Sequence, residues 1–254
     1  MGYDCVAWGH RPEISFAYRL RSLVAAKTVS NIFGIPLIVN WNESWGCPGS
    51  FEDSLAPINT GSYKPLVLKF KGNPLPAHAS AQKLHSRMVA MKVLDAATHD
   101  WPTFLGLYSQ VCINQLDAHQ DIADAVDAAI TGWTNMDEVT GVHIVGLQFS
   151  TDMIARMNTV LATKPNQRFF VSANREDARD ALITEFGDKI LHHNWSFDVQ
   201  GTPPKDKYMT CPEITQDLFT LKRCADILSS KHAPLGWLAS RMGVIDVIGS
   251  AEAS

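Results

Sequence analysis

The chain has 254 residues, 46% of them apolar and 19% charged, which is enough to bury a substantial core in one large or two small domains. A formal net charge of -4 gives no overall attraction to nucleic acid or to an anionic membrane, and this argues against non-specific polyanion binding. No run of about 18 apolar residues occurs and the first residues show no basic segment followed by an apolar one, so a soluble, cytoplasmic protein without membrane contact is expected. The five cysteines (Cys5, Cys47, Cys112, Cys211, Cys224) are odd in number, widely spaced and free of any C-x-x-C pair. They read as reduced thiols, which fits a cytosolic, reducing compartment.

Tyr3 to Trp8 is an apolar run suited to a buried strand, and Phe16 to Phe33 carries apolar residues at helical spacing up to Gly34. Leu37-Ile38-Val39 is the next strand, so the first forty residues predict one βαβ unit. Leu66 to Phe70 predicts a strand and Ala79 to Ala97 a helix, which Trp101-Pro102 breaks. Regular alternation begins after Leu116. Helices are expected at Asp121–Trp133, Thr151–Thr163, Glu176–Phe186, Pro212–Cys224 and Leu235–Met242. Between them come strands at Val142–Leu147, Arg168–Ser172, Lys189–Leu191 and Ile227–Leu228, a loop at Thr202–Tyr208, and a final apolar segment at Val244–Ile248. This alternation predicts parallel sheets covered by helices on both faces.

The chain has no Walker loop, no G-x-G-x-x-G and no G-x-S-x-G elbow. His192 and His193 are neighbours on an extended segment and point to opposite faces, so with Asp198 they are not expected to share an ion, and no metal is predicted.

Four segments, in order along the chain, carry a resemblance. Ser15-Phe16-Ala17-Tyr18-Arg19-Leu20-Arg21 leads into an alanine-rich helix, and the strand after it ends at Trp41. Gly141-Val142-His143-Ile144-Val145-Gly146-Leu147-Gln148 precedes a helix start at Ser150, Thr151 and Asp152. Phe169-Phe170-Val171-Ser172-Ala173-Asn174-Arg175 closes the next strand. Asp217-Leu218-Phe219-Thr220-Leu221-Lys222-Arg223-Cys224-Ala225-Asp226-Ile227-Leu228-Ser229-Ser230 spans a helix and a strand.

Together these segments resemble the fucosyltransferase-like superfamily, which includes nodulation, core and protein O-fucosyltransferases. The resemblance implies a GT-B-like α/β fold of two Rossmann-like doubly wound domains, an acceptor-side domain over 1–115 and a donor-side domain over 116–254. It also implies sugar transfer from a nucleotide sugar, a GDP-sugar, to a hydroxyl acceptor, with neither metal nor other cofactor. His143 matches the histidine of the family motif His-x-Arg-Arg-x-Asp, while Val145, Gly146 and Gln148 replace its charged residues. A guanidinium there would grip phosphate oxygens in two parallel bonds, and losing such a donor costs on the order of 3 kcal/mol of transition-state stabilisation.

The residues left to hold donor phosphate are Arg175, Ser230 and Lys231, with Asn174 beside them, while Arg19 and Arg21 are candidates for acceptor or phosphate binding. Asn174 also suits the cap of the following helix, and Pro234 suits its first turn in the helix after Ser230. Two functional classes are open. One is a divergent glycosyltransferase with His143 near the reacting centre; the other is a catalytically inactive form of the fold that binds a protein partner or self-associates.

Overall fold

The computed structural model describes residues 6–9, 15–41, 54–55, 81–133, 138–146, 149–195, 209–230, 233–243 and 247–248. The expected strand at Leu66–Phe70, the loop at Thr202–Tyr208, Asp198 and Lys231 lie outside them. The chain divides into two compact units, one ending at Asp117 and one running from Ala118.

In the first unit, β1 (Val6–Gly9) and β2 (Leu37–Asn40) pair in parallel, Val6 opposite Leu37, with α1 (Phe16–Phe33) as the crossover. Phe16, Leu20, Leu23 and Val24 are buried along α1 at the spacing of one helical face. Gly34 ends the helix at φ +62°, a left-handed conformation that a side chain disfavours.

Two elements differ from expectation. The helix α2 (Ala81–Ala90) stops well before Ala97, and Lys92 just beyond it adopts φ +58°. Trp101-Pro102 opens a helix rather than ending one: α3 spans Trp101–Asn114, capped by Asp100, whose carboxylate accepts from Thr103 N at 3.0 Å. Proline breaks a helix from within because it lacks an N–H, but in the first turn that N–H has no intrahelical partner to lose. Tyr108 of α3 then donates to the carbonyl of Arg21 in α1 at 3.2 Å.

The second unit begins with α4 (Gln120–Thr131), followed by β3 (Val139–Ile144), α5 (Ser150–Thr163), β4 (Arg168–Ala173), α6 (Glu176–Phe186) and β5 (Ile190–Leu191). Then come α7 (Cys211–Leu221), β6 (Asp226–Ser229), α8 (Pro234–Met242) and β7 (Val247–Ile248). A capping box starts α7: Glu213 accepts from Thr210 N at 2.6 Å, and Thr210 Oγ1 accepts from Glu213 N at 3.4 Å. All the described strands of this sheet are parallel, in the order β5-β4-β3-β6-β7. The chain therefore winds outward from β3 through β4 to β5, then returns to lay β6 against the other side of β3. Val142, Ile144, Phe169, Val171 and Leu228 meet Met153, Met157, Ala178 and Leu182 of α5 and α6 in one core. The alternate residues face α7 and α8.

That second face is tight. A Cβ on Gly141 would lie 2.8 Å from Leu221 Cδ2, and one on Gly236 would lie 2.6 Å from Ser229 Oγ and 3.0 Å from Ser229 Cβ. Among the described residues, no helix is long and apolar enough to cross a membrane. Among the described cysteines one departs from expectation: Cys211 is in a disulfide, whereas Cys112 and Cys224 are buried thiols. The step from five reduced thiols to a reducing compartment therefore fails.

Two measurements check these features. In an open helix Gly236→Ala would gain about 1 kcal/mol; against Ser229 it is expected to cost about 1–3 kcal/mol in urea unfolding, with Ser229→Gly restoring the loss. A stabilised single variant would refute the close approach. Denatured without reductant, the chain should show three reactive thiols, rising after reduction to the full complement of 5 cysteines.

Candidate functional site

The carboxyl ends of β3, β4 and β6 meet where the winding reverses, the usual place for a ligand crevice in an open α/β sheet. Past the end of β3 the backbone passes through Val145 to Gly146, which takes φ +82°. Side chains from the two neighbouring strand ends satisfy both N–H groups. Val145 N donates to Ser230 Oγ at 3.0 Å, and Gly146 N donates to Asn174 Oδ1 at 2.8 Å. The backbone follows suit, with Ser230 N donating to His143 O at 2.9 Å and Asn174 N to Ile144 O at 3.3 Å. Asn174 and Ser230 are thus brought together on either side of β3. Asn174 is not the cap of α6, as its type and position led one to expect: the N-cap is Arg175, in extended conformation and with no side-chain cap bond.

Arg175 stands half-exposed at the same edge, its fork turned back onto Asp177. Its Nε donates to Asp177 Oδ1 at 3.0 Å and its Nη2 to Asp177 Oδ2 at 2.7 Å, which holds the Asp177 carboxyl below its ordinary range. An exposed pair of this kind is worth about 1 kcal/mol or less, so a phosphate can displace the carboxylate at little cost. After β6, α8 begins with Pro234, and its N-cap Ala233 offers no side-chain acceptor to the first-turn N–H groups.

His143 lies beneath this edge, 5% exposed, on the face that Gly236 of α8 approaches. Its Nδ1 is 3.2 Å from both the carbonyl oxygen and Oγ of Ser172. A carbonyl only accepts, so the geometry assigns the proton to Nδ1. Burial brings the imidazole down to about 4, leaving it neutral at physiological pH.

Ser172 links His143 to a group the sequence did not single out. Asp217 of α7 is 1% exposed and bonded to the Ser172 hydroxyl, while Trp195 Nε1 donates to its Oδ1 at 2.8 Å. Burial raises the carboxyl to about 7 against these hydrogen bonds. His193 lies tilted between Trp133 and Trp195 at centroid distances of 6.0 and 4.9 Å and donates from Nε2 to Thr220 Oγ1 at 3.0 Å. Burial, then the neighbouring His192, holds it down to about 4. The available signal was an aspartate among the apolar residues of α7, but its partners come from β4 and from the segment after β5.

Arg19 and Arg21 belong to the first unit and are both inside it. Arg19 is fully buried, its guanidinium 5.4 Å from the Trp41 ring centroid, and burial lowers it to about 10. Arg21 is 8% exposed. Among the described residues, no group of three or more His, Cys, Asp or Glu side chains could hold a metal ion.

By sequence, no family model matches the chain and no curated protein does. By structure, matches are extensive. NodZ α-1,6-fucosyltransferase co-crystallised with GDP superposes with a TM-score of 0.63 at 13% identity, over 98% of this chain and 96% of that one. Fucosyltransferase NodZ from Bradyrhizobium gives 0.59 at 14% identity, over 96% and 94%. POFUT1 in complex with GDP gives 0.53 at 6%, over 94% of each chain. A mutant of Arabidopsis thaliana FUT1 in complex with GDP gives 0.51 at 10%, over 95% of this chain and 69% of that one. The chain has a divergent fucosyltransferase-like fold.

The Asp217 network makes stability depend on pH. Its folded-state value near 7 lies above the ordinary 3.8, so folding retains a proton that the unfolded chain releases, and stability is lost as pH rises from about 4 to about 7. Asp217→Asn keeps an acceptor for Trp195 but cannot ionise. Its stability relative to the native chain should rise across that window and level off above it, by at most about 4 kcal/mol in urea unfolding. A difference independent of pH would remove the buried, ionisable carboxyl.

Proposed function

We propose that this fucosyltransferase-like chain binds a nucleoside diphosphate sugar, a GDP-sugar, at the carboxyl ends of β3, β4 and β6, and transfers the sugar to a hydroxyl acceptor without a metal. The observation that supports this is the reversal of winding between β3 and β6, beside which Asn174 and Ser230 both bond the tip of β3. The nucleotide is inferred from fold neighbours whose structures contain GDP. On this reading the second unit is the donor side of a GT-B-like pair, and Arg19 and Arg21 act in the acceptor-side domain as supports of its first helix.

In transfer, the bond from the sugar's anomeric carbon to the diphosphate breaks, a bond to the acceptor oxygen forms, and negative charge gathers on the leaving diphosphate. Helix N–H groups, the Ser230 hydroxyl proton, Arg175 and Lys231 are the donors suited to that charge. Ser230 accepts from Val145 N and still has its proton to give. His143, covered by α8, serves the site from below by fixing the end of β3. A second reading, a catalytically inactive fold kept for a protein partner or for self-association, is favoured by one observation: side chains of the protein itself already occupy the N–H groups at the tip of β3.

Calorimetric titration with GDP, UDP and their sugars tests the proposal. GDP is expected to bind at millimolar concentration or below, and Arg175→Ala or Lys231→Ala to weaken it about 10-fold, the scale of one charge-assisted hydrogen bond. No signal from any nucleotide at millimolar concentration would overturn the transferase reading in favour of the second.

A further inference from the structure

The helix that follows the central strand holds a donor that no other described residue uses. α5 runs 14 residues from Ser150, and its N-cap Phe149 makes no side-chain cap bond to the first turn. Ser150 is 6% exposed, and its Oγ is buried with no hydrogen-bond partner among the described residues. In an α-helix each Cα–Cβ bond tilts toward the N-terminus, so a serine at the first helical position carries its hydroxyl toward the open N–H groups. A buried hydroxyl left without a partner is a deficit that an incoming acceptor repairs.

We propose that Ser150 and the first-turn N–H groups of α5 form a phosphate site, which takes one phosphate of the nucleoside diphosphate while the start of α8 takes the other. The inference rests on the nucleotide reading above. It is supported by topology: α5 leaves β3 and α8 leaves β6, and these are the two strands between which the winding reverses, so the two helix starts flank one crevice. It also supplies what the sequence lacks, since Val145 and Gly146 stand where a phosphate-gripping arginine is expected. The charges nearby permit it. Asp152, the acid of the first turn, lies 3.8 Å from Arg156 Nη1, and that same nitrogen donates to the carbonyl of Ser229 at 2.7 Å, setting a cation between α5 and the end of β6.

The test is calorimetric titration of the full chain with GDP and with inorganic pyrophosphate, alongside thermal unfolding without ligand. Ser150→Ala is expected to weaken both ligands about 10-fold while leaving Tm equal or higher, because it removes an unsatisfied hydroxyl. Ser150→Thr keeps the hydroxyl and should keep the binding. A merely structural serine would show the opposite pattern, a lower Tm with unchanged affinity. If the native chain binds GDP and Ser150→Ala binds it equally well, this inference falls and the nucleotide reading stands. If pyrophosphate binds through Ser150 but GDP binds no tighter, the phosphate site stands and the nucleotide reading falls. If neither ligand binds at millimolar concentration, both fall.

Discussion

The parallel pairing of β3 on both of its edges is the constraint from which the second unit follows. A strand with β4 on one side and β6 on the other must be reached by a chain that changes its direction of winding, and that change leaves a gap between the helices above the strand ends. With β3 buried throughout, its residues have to be apolar, small or internally bonded. Gly141 admits Leu221 and Cys224, His143 is bonded to Ser172, and Val142 and Ile144 fill the opposite core. The strand is thereby placed by packing, and only what extends past Ile144 is available for chemistry.

At that tip the protein relies on internal hydrogen bonding rather than on charge. Where a family motif would place arginines there are Val145 and Gly146, and their N–H groups are held by a serine and an asparagine from the adjoining strands. This knits three strand ends together without a ligand and makes the rim rigid and neutral. Any pull on an anion then has to come from fixed dipoles and from cations at the margin such as Arg175, whose attraction is screened more strongly than that of a buried guanidinium. Such a site suits a weakly held ligand better than a tightly gripped one.

Local signals made much of this legible. Apolar spacing marked α1, and glycine at its end marked the stop; alternation after Leu116 gave the order of strands and helices; Pro234 marked the start of α8. What stayed hidden depended on partners distant in sequence. Asn174 has the chemistry of a cap, but Gly146, 28 residues away, competes for its oxygen and wins. Asp217 gave no hint of its bonds to Trp195 and Ser172, because helix and segment meet only in the fold. α3 was obscured by a proline with two local meanings, ending one helix or opening the next, of which the second applies: α2 has already stopped at Ala90. Arg19 was expected at an acceptor or phosphate, an expectation that did not include burial over Trp41.

The near-contact of Gly236 with Ser229 has a consequence for how such a chain can drift. α8 touches the sheet there with no side chain of its own, so the two positions share the volume of roughly one small group and behave as a single site. A lineage that enlarges one must shrink the other in the same step or pass through a weakened intermediate. Residues 229 and 236 are therefore expected to change as a pair, however far the surface around them diverges.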